Sequence, residues 1–287
     1  MLPSRTPTRR TRALGTKLAI GALPLTVTAI ALALLFQSFN PSARALDTAP
    51  GERAAESAVD TNEWTINSTD NACVILLHGL SRTDFSMLRL ESALRREGYA
   101  VANVHYDSRE YGIDILADSA IAAGLGLCAE QGAERIHFAT HSLGGILVRF
   151  YMRDHELPQL GRVVMMAPPN QGSEIIDVFG DMPGFELFSG EPAQQLGTNS
   201  DSVPQQLGPV NFELGVIAGT RSLNPILSMA LPDRDDGKVT VENTKVEGMQ
   251  DFIELPFSHT FIMQRQESID QVLHFLAHGI FDHGSAS

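Results

Sequence analysis

Between Cys73 and Ala167 the chain changes period again and again, and this restricts its fold more than any other feature. Cys73–Leu77, Tyr99–His105, Arg135–Thr140 and Arg162–Ala167 are short runs rich in β-formers. The first is apolar throughout, as in a strand buried on both faces. Between these runs the apolar residues recur every three or four positions. Met87, Leu90 and Leu94 lie on one side of a predicted helix over Phe85–Glu97, and Ile113, Leu116, Ala117 and Ala120 on one side of Ile113–Cys128. A further strand is predicted at Phe212–Ala218 and a strand-like segment at Phe252–Leu255. The last helix carries Ile269, Val272, Leu273, Leu276 and Ile280. Strand alternating with helix implies an α/β fold, with a mostly parallel central sheet and helices on both faces. No repeat or second domain is visible within residues 71–283. In such sheets, chemistry collects at the carboxyl ends of the strands.

One of those ends is unusual. In "RIHFATHSLGGILVRF" (135–150), Ser142 falls between a strand-like run and a helix with its stripe at Leu143, Ile146, Leu147 and Phe150. Gly144 and Gly145 open that helix, where each glycine costs about 1 kcal/mol relative to alanine. Close backbone approach at a tight corner would explain them. An ordinary helix cap is the plainer reading, but Ser-x-x-Gly lacks the Glu or Gln of a capping box. The helix N-terminus beside Ser142 favours developing negative charge.

A serine hydroxyl needs a base, and the base needs an orienting carboxylate. On a strand-to-helix corner of a parallel sheet the order along the chain is serine, acid, histidine. Asp236, ahead of Gly237, and His259, between Phe252–Leu255 and the last helix, sit where loops at one sheet edge are expected. Asp233 and Asp235 remain rivals for the acid. His155 follows the corner helix too soon, and His274 and His278 fall inside the last helix. A developing oxyanion needs two N–H donors. Leu143 follows the serine, and Leu80 lies in the His78-Gly79-Leu80 loop after the first strand.

The motifs "LLHGL" (76–80), "THSLGG" (140–145), "APPNQGSE" (167–174), "DDGKV" (235–239) and "FSHTF" (257–261) together resemble the α/β-hydrolase family, close to bacterial triacylglycerol lipases and esterases. The resemblance spans about residues 72–280. It implies Ser142 as nucleophile, Asp236 as acid, His259 as base, and the Leu80 and Leu143 amides as oxyanion hole. The implied function is serine hydrolysis of carboxylic esters, lipid esters included, through an acyl-enzyme and without a cofactor. A thioesterase, amidase or acyltransferase would use the same triad. A non-catalytic binding protein with this fold is the alternative from outside enzymology. Two departures stand out. Thr140 replaces the first glycine of G-x-S-x-G, with a bulkier residue at the turn. Phe261 stands where such lipases often carry a calcium-binding Asp, so no metal site is expected.

Residues 1–45 carry six basic residues and no acid, and Leu18–Phe36 is uncharged and mostly apolar, with Ala43-Arg44-Ala45 after it. This reads as an export signal or as an N-terminal membrane anchor through residues 18–36. Either places the main domain outside the cytoplasm, in the periplasm or beyond. Residues 46–70 read as a linker, with an early strand around Trp64–Ile66. From residue 46 onward 15 basic residues face 34 acidic ones, about −19 in formal charge, which disfavours nucleic acid. Cys73 at the start of a strand and Cys128 at the end of a helix fall at the same sheet edge, which permits a disulfide in an oxidising compartment; the alternative is two buried thiols that act as small hydrophobes. Residues 172–210 have no clear period but carry Val178, Phe179, Met182, Phe185, Leu187 and Phe188. They are the candidate lid, against the plainer reading of a loop whose apolar residues fill the local core.

Overall fold

The computed structural model describes residues 71–284, apart from 181–184, 186–188, 224–227 and 230. The expected leader at 1–45, the apolar stretch 18–36, the linker and the strand near Trp64 lie outside the described residues. Among the described residues no helix is long and apolar enough to cross a membrane.

Six strands form one parallel sheet in the order β2-β1-β3-β4-β5-β6. They are β1 (Ala72–Leu77), β2 (Ala100–Val104), β3 (Arg135–His141), β4 (Leu160–Met166), β5 (Leu214–Gly219) and β6 (Asp251–Leu255). The longer helices are α1 (Leu88–Arg96), α2 (Ile113–Glu130) and α3 (Leu143–Asp154), with α8 (Gln266–His278) near the end of the domain. All six residues of β1 are buried, as its unbroken apolar run requires. Its side chains divide by the two-residue period of a strand. Cys73, Ile75 and Leu77 pack toward α2 and α3, while Val74 and Leu76 pack toward α1 and α8. Burial of each such side chain contributes about 1.5–3 kcal/mol.

The helix predicted at Phe85–Glu97 begins as a 3-10 turn at Asp84–Met87 before α1. Its Met87, Leu90 and Leu94 are all fully buried. Ile280 departs from the predicted stripe of α8. Gly279 adopts a left-handed φ of 78° and ends the helix. Ile280 then turns outward, and Phe281 packs its ring 4.9 Å from that of Phe275. Cys73 and Cys128 are joined by a disulfide, with Cα atoms 5.7 Å apart, which ties α2 to β1.

Residues 172–210 are not a structureless loop. They hold α4 (Glu174–Phe179), α5 (Glu191–Gln194) and α6 (Val203–Gln206). Pro192 and Pro204 each stand in the first turn of their helix, where a missing N–H costs nothing. Ile175, Phe185 and Leu196 point inward and are buried, whereas Val178 is half exposed. Met182, Leu187 and Phe188 lie outside the described residues. A further short helix, α7, spans Val241–Thr244.

Strand order fixes where a ligand can sit. From β1 the chain leads into α1 on one face, and from its neighbour β3 into α3 on the other. The loops after these adjacent strands diverge and leave a crevice at their carboxyl ends. The loop Gly79-Leu80 and Ser142 meet there.

Candidate active site

Ser142 stands between β3 and α3 with φ 51° and ψ −118°, a conformation that costs a non-glycine residue about 1–3 kcal/mol. Two hydrogen bonds hold it. Its N–H donates to the Met166 carbonyl at the end of β4 (2.9 Å), and its own carbonyl accepts from Gly145 N–H (3.0 Å). The glycines now have a reason. A Cβ on Gly144 would stand 2.5 Å from the Leu77 carbonyl oxygen, and one on Gly79 would stand 2.7 Å from His141 Nδ1. The start of α3 therefore lies directly on the end of β1, and the loop after β1 lies on the serine corner.

Thr140 does not disturb this corner. It is still a strand residue, paired with Leu77 and Met165, and its side chain is buried with Oγ1 3.5 Å from the Val164 carbonyl.

Ser142 Oγ lies 3.0 Å from His259 Nε2, and His259 Nδ1 lies 2.8 Å from Asp236 Oδ2. A carboxylate only accepts, so Nδ1 carries the proton and Nε2 offers its lone pair to the serine hydroxyl. Both partners of the pair are buried. Burial holds the His259 pKa below the ordinary 6.5; Asp236 opposes this, and the nearby charges of Lys238 and Arg82 add to it. The imidazole is thus neutral near pH 7. The other oxygen of Asp236 accepts from the backbone N–H groups of Lys238 (3.0 Å) and Val239 (2.9 Å), which fixes the carboxylate. The His259 N–H donates to the Asp236 carbonyl (3.0 Å), locking the two loops together.

The rivals are placed elsewhere. Asp235 accepts from Ser228 Oγ (2.8 Å) and Gly237 N–H (2.6 Å) and so holds a turn, while Asp233 is exposed. His155 hydrogen-bonds the Tyr151 carbonyl and His274 the Ile280 carbonyl. The loop after β1 closes through Arg82 N–H on the Gly79 carbonyl (3.1 Å), a bond that leaves Leu80 N–H out. Leu143 is the first residue of α3, where an N–H has no acceptor within the helix. Among the described residues no group of three or more His, Cys, Asp or Glu side chains is placed to hold a metal ion.

Several site residues were not found by sequence reasoning. His141 is buried and donates from Nε2 to the His259 carbonyl (2.9 Å), and burial keeps it neutral. The Tyr106 hydroxyl donates to the His78 carbonyl, and the two rings stack at 4.0 Å. Arg82 and Lys238 line the same solvent-open pocket as Ser142 and His259. Its apolar wall includes Ile175, Ile176, Phe185 and Leu196. Lys238 was in plain view within "DDGKV", but a lysine in a loop reads as solvated unless its surroundings are known.

The sequence from 74 to 251 matches the model of the alpha/beta hydrolase family. The chain belongs to that family. Among solved structures, this alpha/beta hydrolase is similar to the lipase BlEst2 of Bacillus licheniformis in its mature form. The TM-score is 0.57 at 15% identity, over 71% of this chain and 91% of the lipase. It is also similar to the phospholipase PlaB of Legionella pneumophila in complex with thio-NAD. There the TM-score is 0.57 at 20% identity, over 72% of this chain and 57% of the phospholipase. At such identities the likeness is one of fold. No curated protein matches the chain's sequence.

Proposed function

We propose that this alpha/beta hydrolase is a serine hydrolase of carboxylic esters. The observation that carries the reading is the hydrogen-bonded chain from Ser142 Oγ through His259 to Asp236, with spacings of 3.0 and 2.8 Å. In the proposed reaction His259 Nε2 takes the Ser142 proton as Oγ bonds to the acyl carbon. The Leu80 and Leu143 N–H groups receive the oxyanion. Collapse breaks the bond to the alcohol oxygen, which leaves with the proton held by His259. A water then gives its proton to His259 and attacks the acyl-enzyme. The carboxylic acid departs, and Ser142 regains its proton. Asp236 holds the tautomer and stabilises the transient imidazolium. Ile175, Ile176, Phe185 and Leu196 receive the acyl chain, with residues 172–210 acting as the lid over it. The protein works outside the cytoplasm, a reading supported by the basic and apolar leader and by the Cys73–Cys128 bond.

The test is labelling of the purified full chain with a fluorophosphonate, followed by peptide mass spectrometry. The expected result is a single adduct on Ser142, lost in Ser142→Ala and in His259→Ala. A folded protein that takes up no label at Ser142 would overturn the proposal.

A further inference from the structure

The loop that carries Leu80 touches two neighbours. One is the serine corner, where a Cβ on Gly79 would come within 2.7 Å of His141 Nδ1. The other is the segment that follows β2, which reaches the loop at two points. The Tyr106 hydroxyl donates to the His78 carbonyl, and its ring stacks on the His78 imidazole at 4.0 Å. Ser108 Oγ accepts the Ser81 N–H (3.0 Å). Ser81 has a φ of 55°, a left-handed conformation that a non-glycine residue keeps only where its surroundings hold it.

These contacts bear on the direction of one N–H. The Gly79–Leu80 peptide is trans and planar, so the Leu80 N–H points opposite to the Gly79 carbonyl. That carbonyl accepts from the Arg82 N–H (3.1 Å) and from His78 Nδ1 (3.0 Å). A carbonyl only accepts, so Nδ1 carries the proton. Burial holds the His78 pKa at about 4, and the ring is neutral with that single N–H. Turning the His78 ring, or shifting its backbone, would turn the Leu80 N–H with it. Tyr106 holds the ring by stacking and the backbone by its hydroxyl, which burial keeps protonated and a donor. Ser108 holds the amide that follows Leu80. We infer that Tyr106 and Ser108 are positioning residues for the oxyanion hole, fixing the peptide plane that aims the Leu80 N–H. The inference rests on the serine-hydrolase reading and adds the residues that set one of its oxyanion donors.

A residue can position another only if it is itself held. Tyr106 and Ser108 are both buried, and the Ser108 N–H donates to the Tyr106 carbonyl (2.9 Å). Farther along, the Arg109 carbonyl accepts the Glu191 N–H (3.2 Å), and the Ile113 N–H at the start of α2 donates to Gln195 Oε1 (2.8 Å). A Cβ on Gly190 would stand 2.3 Å from the Arg109 carbonyl oxygen, so the two segments are in close contact. The support is therefore fastened at both ends. Neither Tyr106 nor Ser108 lines the pocket. Losing either contact leaves the substrate's seat in place and misaims a donor that is used fully only when the oxyanion forms, which lowers kcat rather than raising KM.

The experiment uses the full chain with Tyr106→Phe, which keeps the ring and deletes the hydroxyl, and with Ser108→Ala. It measures kcat and KM on a p-nitrophenyl ester and Ki for a trifluoromethyl ketone of the same acyl group, whose adduct with Ser142 places an oxyanion in the hole. In each variant kcat is expected to fall about tenfold, a fraction of the roughly 10²–10³-fold cost of deleting a donor, with KM changed by less than about twofold. Ki should rise by the factor that kcat falls, and the acid limb of kcat/KM should keep its midpoint, since His259 is untouched. If Tyr106→Phe does not fold, Ser108→Ala decides by the same readouts. An unchanged kcat in either folded variant, a fall in kcat without a rise in Ki, or a fall explained by a shifted acid limb would overturn the inference while leaving the hydrolase reading intact. A parent chain that cleaves no ester and takes up no fluorophosphonate would remove both.

Discussion

The domain should lose stability in mild acid, before its carboxylates titrate, because it buries histidines in the neutral form. His137 in β3 shows the cause. Its Nδ1 accepts the Arg162 backbone N–H at 2.7 Å, and its ring packs against Gly161, where a Cβ would come within 2.4 Å. A proton on Nδ1 would face another donor and would add positive charge beside Arg162 and Arg135. Burial, with those two guanidinium groups, lowers the His137 pKa to about 4. His78 is likewise held at about 4, chiefly by burial. In the unfolded chain both return to about 6.5. Below 6.5 the unfolded state takes up protons that the folded state refuses, so stability falls as pH falls, and the loss is complete below about 4. Between pH 7 and pH 5 each histidine costs about 2 kcal/mol, and the pair about 4 kcal/mol. His141 and His259 are shifted in the same direction and can only add to this. For a domain stable by about 5–15 kcal/mol the loss is large. The assay is urea unfolding at pH 7 and pH 5 on the parent and on His137→Gln. The variant will be weaker at pH 7, yet its loss between the two pH values should be smaller by about 2 kcal/mol. A parent whose stability is flat over that interval, or a variant with the parent's full slope, would refute the reasoning.

Other consequences are separable from this one. Asp236→Asn should lower kcat on a reactive ester by about 10³–10⁴-fold with little change in KM, through loss of the orienting acceptor, and steady-state kinetics will read it. Gly144→Ala should destabilise by about 1–3 kcal/mol in urea unfolding, although helix propensity alone favours alanine by about 1 kcal/mol; the sign decides between contact and propensity. Replacing both Cys73 and Cys128 by alanine should cost about 4 kcal/mol for the loop they close, read as a lower urea midpoint. The acid limb of kcat/KM should have its midpoint below 6.5, because burial lowers His259 and only the neutral imidazole accepts the serine proton; a midpoint above 6.5 contradicts that burial.

What could be read from the chain was what local rules determine. A strand buried on both faces leaves an unbroken apolar run, and β1 shows one. Serine, acid and histidine keep a fixed order in this kind of sheet, so Asp236 and His259 could be sought after Ser142. Choosing Asp236 over Asp235 needed the turn at Gly237, where adjacent carboxylates face opposite duties: one holds backbone N–H groups and the histidine, the other a serine and the turn itself. Arg82 and Lys238 were illegible for a related reason. Whether a loop cation faces water or a pocket depends on anchors remote in sequence, here Thr260 and Ser173. The helices within 172–210 are too short to show a period, and only their prolines hinted at where two of them begin.

The serine corner shows how a motif can be misread by its letters. A glycine before the nucleophile is taken to relieve crowding at the turn, and Thr140 looked like a fault. In this protein Thr140 is the sixth residue of β3, still paired with Leu77 of β1, and its side chain is buried. The left-handed φ belongs to Ser142 itself, and the contacts that no Cβ could enter belong to Gly79 and Gly144. Close approach is needed where α3 and the β1 loop meet the backbone of β1 and the serine corner, not where the strand is still paired. The need for glycine therefore follows contact geometry rather than position in the motif. The side chain at 140 is accommodated in the strand, whereas a Cβ at 144 would stand 2.5 Å from the Leu77 carbonyl oxygen.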